Sequence, residues 1–451
     1  MNFQEALDYL YSFINYDITR QERYNAGLML DRPHQLMERL GNPHQAYPII
    51  HIAGTKGKGS VGAMCAAMLQ AAGYKVGLYS SPHLQDFRER FKINNELIGE
   101  DAFVKLVEEI KPDVDGVPGL IWFDVVTGLA FEYFRRAVVD ITVVEVGLGG
   151  RLDSTNIVTP LVSVITSLSL DHMSWLGNTL PEIAFEKAGI IKPGIPVVSA
   201  PQPPDALAVL ESVANEQHAP LTLVGRDWQF ESLSGDLQIE RWKAAPVGQA
   251  LKDYQTILLG RHQAINATVA LAAMEKVSQA GIAVSDAEMR QGLAQVNWAG
   301  RLEIVRKFPV IVLDAAHNGE SAHRLKETLV ERFPWQPLIL VFAAKTDKDI
   351  DGMLRELLPV VDHLIVTQAV DSRAESPDRI AERVRNLGFM LPVNVIPDVP
   401  TALHTAENYA GVEGMVCVTG SLYLVGEART VYDLKVGQSV SVYRAGQDVQ
   451  A

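Results

Sequence analysis

The chain has 451 residues and a formal net charge of −14, so it is long enough for two or three domains, and its acidity argues against nucleic acid as the main partner. Its two cysteines, Cys65 and Cys417, lie far apart in apolar stretches, which argues against a disulfide framework or a zinc site and is typical of a cytoplasmic protein. The N-terminus lacks the features of a signal peptide, and no apolar run reaches the ~18 residues of a membrane span.

The first part of the chain alternates apolar runs with helical patterns. Continuous runs rich in Val and Ile are typical of parallel strands that are buried on both faces. They predict strands at residues 49–53, 75–79, 141–146, 161–165 and 196–199. Apolar residues at helical spacing predict helices at residues 123–138, 180–190 and 262–279. Residues 201–255 are less regular and more polar, so we expect peripheral strands and loops there.

The same alternation starts again near residue 299. Apolar runs predict five more strands, at residues 310–313, 338–342, 363–366, 393–396 and 415–418. Ser376-Pro377 supplies an N-cap and a proline at the first position of a helix. We therefore predict an α/β protein with a mostly parallel, P-loop-type ATPase domain at residues 1–298 and a smaller, Rossmann-like doubly wound domain at 299–436. Residues 437–451 are polar, and we expect a loose tail there.

Residues 54–60, Gly-Thr-Lys-Gly-Lys-Gly-Ser, form a glycine-rich turn between the first predicted strand and a helix. Such a turn presents backbone N–H groups and a helix N-terminus to an anion, and Lys58 adds a positive charge. The turn differs from the standard P-loop, because Ile52 replaces its first glycine and Gly59 separates Lys58 from Ser60. Nothing structural requires two lysines and a serine in this turn, so we expect it to bind the phosphates of a nucleotide.

A second polar cluster covers residues 145–156 and follows a buried strand, where open α/β sheets carry their sites. Glu145 ends the strand, and a carboxylate in this place can hold a divalent metal beside the phosphates. The polar residues farther along, including Asp153 and Asn156, can serve the same site or can form turn and capping hydrogen bonds. The sequence leaves both interpretations open for them.

Further clusters contain possible metal ligands and cations. Ser81 and His172 each follow a predicted strand, although a lone histidine is more often structural than a ligand. Lys187 lies among apolar neighbours, and a surface salt bridge is an equally common role for such a lysine. Two more polar segments, at residues 260–266 and 313–319, lie in or beside the second predicted domain.

In this order the clusters resemble those of the Mur ligase superfamily, in its folate branch of folylpolyglutamate synthases, which are often bifunctional with dihydrofolate synthase. The resemblance extends from about residue 26 to residue 429 and is carried by seven motifs: residues 54–60, 81–82, 145–156, 171–172, 186–194, 314–318 and 419–423. About fifty residues precede the phosphate loop, which leaves no room for the UDP-sugar domain of the cell-wall Mur ligases. The folate branch is therefore favoured.

The resemblance implies a role for each matching position. The positions that match ATP contacts are Gly57, Lys58, Gly59, Ser60, Asn266, Arg301 and Asp314. Those that match magnesium ligands are Ser81, Glu145, His172 and Lys187, the last as a carbamylated lysine. The pterin-binding region corresponds to Phe123, Asp124, Leu152, Asp153 and Ser154. The positions that match those linked to the incoming glutamate are His317 and Ser421. The implied catalytic residues are Lys58, Lys187 and His317. The sequence departs from the family at Asp124, where glutamate is more usual, and at Lys56, where asparagine is more usual.

The implied activity is the ATP-dependent joining of L-glutamate to a folate through an acyl phosphate. Dihydropteroate, tetrahydrofolates or both remain possible acceptors, and the length of the polyglutamate product stays open. We expect a cytoplasmic monomer that uses ATP and Mg²⁺ and binds neither nucleic acid nor a membrane. The alternatives are another amino-acid ligase of the superfamily and a P-loop nucleotide-binding protein that is not a ligase.

Overall fold

The computed structural model describes residues 1–13, 30–233 and 235–439. The strands, numbered in chain order, are β1 Ile49–Ala53, β2 Val76–Tyr79, β3 Phe91–Ile93, β4 Glu96–Leu97, β5 Ile141–Glu145, β6 Val162–Ile165, β7 Val197–Ser199, β8 Leu221–Leu223, β9 Trp228–Ser232, β10 Glu240–Pro246, β11 Lys252–Thr256, β12 Glu303–Lys307, β13 Val310–Leu313, β14 Leu338–Phe342, β15 His363–Val366, β16 Val393–Val395 and β17 Met415–Thr419. The α-helices are α1 Phe3–Tyr11, α2 Asp31–Arg39, α3 Lys58–Ala71, α4 Glu100–Asp115, α5 Trp122–Arg136, α6 Met173–Leu176, α7 Leu180–Ala188, α8 Pro204–Glu216, α9 Arg261–Gln279, α10 Asp286–Gln295, α11 Gly319–Arg332, α12 Ile350–Leu357, α13 Pro377–Asn386, α14 Val399–Ala410 and α15 Leu422–Val431.

The first sheet has eight strands in the order β4-β3-β2-β5-β1-β6-β7-β8. Six neighbouring strands of this sheet are parallel to one another: β2, β5, β1, β6, β7 and β8. The strands β3 and β4 extend the sheet beyond β2 with antiparallel pairing. Every residue of β1 and β5 is buried, because helices cover both faces of the sheet. Ile50 and Ile52 pack in a core with α3 and α9, whereas Ile49, which precedes them, packs on the other face with α4 and α5. The predicted parallel, P-loop-type sheet is confirmed.

The second sheet has six strands in the order β12-β13-β17-β14-β15-β16. All its neighbours pair in parallel except β12, which is antiparallel to β13. One face packs against α11, α12 and α13, and the other packs against α14 and α15. The predicted Rossmann-like unit is confirmed. The interval between α10 and β12 contains the predicted boundary near residue 299, and the domain limits themselves stay a prediction.

The region at 201–255 is more regular than we expected. It contains the helix α8, which buries Ala206, Leu210 and Ala214 at helical spacing. It also contains the three antiparallel strands β9 to β11, which form a separate sheet. The strands agree with our expectation, but the absence of a helix there was a wrong prediction. Small alanines make up much of its buried face, so the apolar signal in the sequence is weak.

Two further expectations concern the chain as a whole. None of the helices in the described residues is both long and apolar enough to cross a membrane. Of the predicted loose tail at 437–451, residues 440–451 lie outside the described part. Residues 437–439 are held by hydrogen bonds: Lys92 Nζ donates to Gly437 O at 2.9 Å, and Arg429 Nη2 donates to Gln438 O at 2.6 Å.

Candidate active site

The glycine-rich turn connects β1 to α3, as the sequence predicts. Gly57 immediately precedes α3 and has a φ of 87°, a left-handed conformation that favours glycine. The peptide oxygen of Gly54 accepts hydrogen bonds from Lys58 Nζ at 3.2 Å and from Lys187 Nζ at 3.0 Å. Two lysine side chains therefore lie at the N-terminal end of α3, where the helix dipole favours an anion.

The turn lies directly against α9. A Cβ atom added to Gly57 would lie 2.5 Å from Oδ1 of Asn266, closer than any real contact. The amide of Asn266 is buried and donates to Oε1 of Gln263 at 3.0 Å. The close approach of turn and helix is therefore possible only because residue 57 has no side chain.

Glu145 occupies the carboxyl end of β5, next to the turn. Its Oε1 lies 3.8 Å from Lys58 Nζ, and its Oε2 accepts a hydrogen bond from the backbone N–H of Ser81 at 3.3 Å. Burial raises the pKa of Glu145 above its ordinary value, while the Lys58 charge acts in the opposite direction. The structure thus brings together a buried carboxylate, a lysine and a serine at one edge of the sheet.

His172 and Lys187, the other predicted metal ligands, have different environments. His172 directly precedes α6, its side chain is 43% exposed, and its Nε2 lies 3.8 Å from Oδ1 of Asp171. Lys187 is buried near the end of α7, and burial, together with the nearby Lys58 charge, lowers its pKa to about 7. Lys187 is thus a buried amine beside the phosphate loop, and the surface salt bridge that its sequence context also allowed is not formed.

No group of three His, Cys, Asp or Glu side chains converges in the described part of the chain. The predicted magnesium set contains only two residues of these types, Glu145 and His172. The fit of this set to magnesium therefore depends on the donor atoms of its individual residues. The Glu145 carboxylate and the Ser81 hydroxyl supply oxygen, which magnesium prefers, so these two residues fit such an ion.

A cleft between the two sheets collects most of the residues predicted to bind nucleotide. Its lining includes Gly57, Ser60, Asn266, Arg301, Asp314 and His317. Asp314 directly follows β13; its two carboxylate oxygens accept hydrogen bonds from the backbone N–H groups of Leu302 and Ala316, each at 2.9 Å. Burial raises the pKa of Asp314, and Arg301 opposes this shift. One wall therefore comes from the phosphate loop and α9, and the other from β13 and the turn before β12.

Asp171 forms a polar cluster across this cleft that our sequence reasoning missed. Its Oδ2 accepts from Lys56 Nζ at 2.8 Å and from Asn318 Nδ2 at 3.3 Å. Its Oδ1 lies 3.7 Å from Lys348 Nζ. Burial alone would raise the pKa of Asp171, but Lys56, together with His172 and Lys348, holds it well below its ordinary value. The Asp171-His172 motif drew attention to this part of the sequence, but nothing in the sequence indicated which residues contact Asp171.

His317 joins the same cluster. Its Nδ1 lies 2.9 Å from the peptide oxygen of Ala315, and its Nε2 lies 3.2 Å from Lys56 Nζ. Burial and the Lys56 charge lower the pKa of His317 well below its ordinary value. The imidazole is therefore neutral at physiological pH.

The acidic residues of the predicted pterin region accept hydrogen bonds from neighbouring protein groups. Asp124 is fully buried at the start of α5 and accepts from Ser154 Oγ at 2.7 Å and from the backbone N–H of Ile121 at 3.0 Å. Asp153 accepts from Thr155 Oγ1 at 2.6 Å and from the backbone N–H of Leu148 at 2.9 Å.

The turn and capping interpretation, which the sequence left open, therefore describes Asp153. It also describes Asn156, whose amide donates to the peptide oxygens of Arg151 and Gly189. The ring of Phe123 packs on Gly147, where an added Cβ would lie 2.4 Å from Phe123 Cζ. Leu152 is partly buried in the turn before Asp153.

Ser421 follows β17 and caps α15, and its Oγ accepts the backbone N–H of Tyr423 at 3.2 Å. The neighbouring Gly420 donates its N–H to the peptide oxygen of Ala316 at 3.0 Å. Ser421 and His317 therefore follow the paired parallel strands β17 and β13 at the same edge of the second sheet.

Comparison with known proteins now identifies the family. Residues 300–422 match the family model described as Mur ligase, glutamate ligase domain. Over 416 residues the chain is 38% identical to the dihydrofolate synthase/folylpolyglutamate synthase of Bacillus subtilis, which covers 89% of this chain and 94% of that protein. The chain belongs to the dihydrofolate synthase/folylpolyglutamate synthase family.

Solved structures agree with this family membership. The structure of Escherichia coli FolC in complex with DHPP and ADP has a TM-score of 0.85 at 31% identity, covering 96% of this chain and 98% of that chain. Mycobacterium tuberculosis folylpolyglutamate synthase complexed with ADP and AMPPCP has a TM-score of 0.84 at 34% identity, covering 90% of this chain and 96% of that one. The resemblance inferred from the seven motifs is confirmed, and the role of each individual residue stays a prediction.

For this member of the dihydrofolate synthase/folylpolyglutamate synthase family, the predicted sites group by location. Five residues predicted for ATP, together with His317, line the one cleft. Lys58, Lys187 and Glu145 meet at the base of the phosphate loop. Gly59 is packed against Trp298, where an added Cβ would lie 2.6 Å from the ring.

Proposed function

We propose that this chain is an ATP-dependent ligase that joins L-glutamate to a folate, to dihydropteroate or to both. One observation carries the proposal: a single cleft places the phosphate loop opposite Arg301, Asp314 and His317 of the second sheet. A nucleotide and an amino-acid substrate can meet there. The names of its relatives, dihydrofolate synthase and folylpolyglutamate synthase, support the choice of substrates.

ATP binds with its phosphates at the N-terminus of α3. The backbone N–H groups from Gly57 to Ser60 and the Lys58 ammonium stabilise the phosphate charge, and Asn266, Arg301 and Asp314 hold the rest of the nucleotide. The Asp314 carboxylate is held by two backbone N–H groups, so its position is fixed before ATP arrives. Phosphoryl transfer depends mainly on such positioning and charge stabilisation.

The reaction then proceeds in two steps. A carboxylate oxygen of the folate attacks the γ-phosphorus of ATP; the bond from that phosphorus to the β–γ bridging oxygen breaks, ADP leaves, and an acyl phosphate forms. The α-amine of L-glutamate then attacks the acyl carbon, loses a proton and expels inorganic phosphate, leaving an amide. Phosphorylation is needed because a carboxylate oxygen is by itself a poor leaving group.

We assign magnesium to Ser81, Glu145, His172 and a carbamylated Lys187. When bound, magnesium supplies neutralisation of the phosphate charge. Lys187 supports a carbamate because it is buried beside the loop, and a pKa of about 7 leaves much of the amine neutral at physiological pH. Only the neutral amine reacts with carbon dioxide, and the product is an anion that suits a cation site.

The incoming glutamate belongs at His317 and Ser421, which follow neighbouring strands. The neutral imidazole places no positive charge beside the glutamate ammonium. The pterin belongs at Phe123, Asp124, Leu152, Asp153 and Ser154, where the aromatic ring and the fixed turn would form one wall. We expect closure of the cleft on its substrates to exclude water, which would otherwise hydrolyse the acyl phosphate.

Both walls of the cleft come from one chain, which supports a monomer as the working unit. The buried free thiols Cys65 and Cys417 support a reducing, cytoplasmic location. Sedimentation at micromolar concentration checks the first point, and fractionation of the host cell checks the second.

The decisive assay offers the purified chain ATP, magnesium and labelled L-glutamate, with dihydropteroate and tetrahydrofolate in parallel reactions. We expect label in the pterin product and one phosphate released for each amide formed. Another amino acid ligated in place of glutamate would point to a different ligase of the superfamily. ATP hydrolysis that ignores both glutamate and pterin would refute the ligase function.

A further inference from the structure

Lys56 is the lysine of the phosphate loop to which the proposed mechanism gives no role. Its backbone N–H donates to the peptide oxygen of Ser167 at 3.1 Å, so the loop fixes where its side chain begins. The side chain is 19% exposed and contacts Asp171 and His317. It is therefore a cation of the phosphate loop that contacts the second domain.

Two contacts define the state of the His317 ring. The peptide oxygen of Ala315 can only accept a hydrogen bond, so Nδ1 of His317, 2.9 Å away, carries the ring proton and donates. Nε2 of the neutral ring then has no proton and accepts from Lys56 Nζ at 3.2 Å. Both nitrogens are held, one from each side of the cleft, and the ring cannot turn without losing a hydrogen bond.

Asp171 holds Lys56 in this position. Its Oδ2 accepts from Lys56 at 2.8 Å, and the same oxygen accepts from Asn318 at 3.3 Å, the residue next to His317. The ammonium is thus fixed between a carboxylate of the first domain and an imidazole of the second. The three side chains form one connected set that exists only when the two walls of the cleft are together.

We propose that Lys56 is a positioning residue that orients the His317 ring for the incoming glutamate, and so makes the glutamate subsite depend on the phosphate loop. The importance for catalysis rests on the proposed function, since His317 is assigned there to glutamate. The hydrogen bond and the ring state, in contrast, can be measured whatever the enzyme does. Lys56 acts through His317 and does not itself contact the reacting atoms.

The first test observes the ring directly. The whole chain is labelled with ¹⁵N-histidine, and the His317 signals are assigned with His317→Gln. We expect a proton on Nδ1 and none on Nε2, with the Nε2 resonance shifted by its hydrogen bond. In Lys56→Met, which keeps the apolar stem, that resonance should move toward the value of a free imidazole nitrogen. A proton on Nε2 in the wild-type chain, or an unchanged resonance in Lys56→Met, would overturn the proposal.

The second test measures steady-state constants for the same variants. Losing a hydrogen bond from a charged donor should raise KM for glutamate about 10-fold or more in Lys56→Met, with KM for ATP near the wild-type value. Lys56→Arg keeps a donor and should restore part of the loss, whereas Lys105→Met, on the exposed side of α4, should change nothing.

An increase in KM for ATP alone would make Lys56 a phosphate contact and refute the positioning role. A wild-type chain without glutamate-dependent turnover would refute the proposed function instead, and the histidine spectra would still decide the contact. If Lys56→Met fails to fold, the wild-type spectrum and Lys56→Arg decide the question by themselves.

Discussion

The contact between Gly57 and Asn266 gives the sharpest stability prediction. We propose the substitution Gly57→Ala. The new Cβ would lie 2.5 Å from Asn266 Oδ1, and the φ of +87° is one that alanine adopts only at a cost. Asn266 would have to move, and its hydrogen bond to Gln263, 3.0 Å long, would be lost or bent.

The structure allows the magnitude to be estimated. The left-handed backbone costs about 1 kcal/mol, and the hydrogen bond of Asn266 adds about 1 kcal/mol more, so Gly57→Ala should destabilise the protein by ~2 kcal/mol. Gly73 is a matched control because its φ is also +87° and an added Cβ meets nothing within 4 Å. Gly73→Ala should therefore cost only the backbone part, about 1 kcal/mol.

Urea unfolding of both variants, followed in parallel with the wild type, checks these values, and titration with ADP should show weaker binding for Gly57→Ala only. A double variant isolates the clash. Asn266→Ala removes the atom that the new methyl group meets, so Gly57→Ala should cost about 1 kcal/mol less in that background. Equal costs for Gly57→Ala and Gly73→Ala, or full additivity with Asn266→Ala, would refute the steric reasoning.

Three further predictions use single substitutions. Lys58→Ala should lower ligation ~10²–10³-fold with an unchanged circular dichroism spectrum, because it removes charge at the phosphates but only one structural hydrogen bond. Arg429→Ala should cost ~3–5 kcal/mol in urea unfolding, because it removes the guanidinium that balances the charge of the buried Glu303 carboxylate, whereas Arg226→Ala in an ion pair that is nearly half exposed should cost ~0–1 kcal/mol. Lys187→Arg should lose glutamate-dependent ATP turnover, and the carbamate signal from ¹³C-bicarbonate expected in wild-type spectra should be absent; wild-type spectra without that signal would exclude the carbamate.

The parallel strands could be predicted from the sequence because burial on both faces leaves continuous apolar runs. All ten predicted strands occur, with ends that differ by at most one residue, as β1 and β13 illustrate. The missed strands are short or lie at sheet edges. Glu96–Leu97, for example, has only two residues and a half-exposed environment, so no apolar run marks it.

The candidate site could be predicted only where one local segment carries the chemistry. The phosphate loop, Glu145 and Lys187 each lie beside a strand or helix end that the sequence reveals. The contacts of Lys56 with Asp171 and His317 join residues 115 and 261 positions apart. They depend on how two sheets meet across a cleft, and no periodicity within either segment encodes that arrangement.

The departure of this loop from the standard P-loop also has a physical reason. In the standard loop a serine or threonine directly follows the lysine and places its hydroxyl on magnesium. Here that position is Gly59, and an added Cβ would lie 2.6 Å from Cζ2 of Trp298, so the ring occupies the space that a hydroxyl-bearing side chain needs. In the proposed magnesium site the hydroxyl comes instead from Ser81, whose backbone N–H donates to Glu145, the carboxylate 3.8 Å from Lys58. On this proposal the glycine at residue 59 and the serine at residue 81 belong together: Trp298 leaves no room for a hydroxyl-bearing side chain in the loop, and the proposed ligand follows β2, which is separated from β1 by β5.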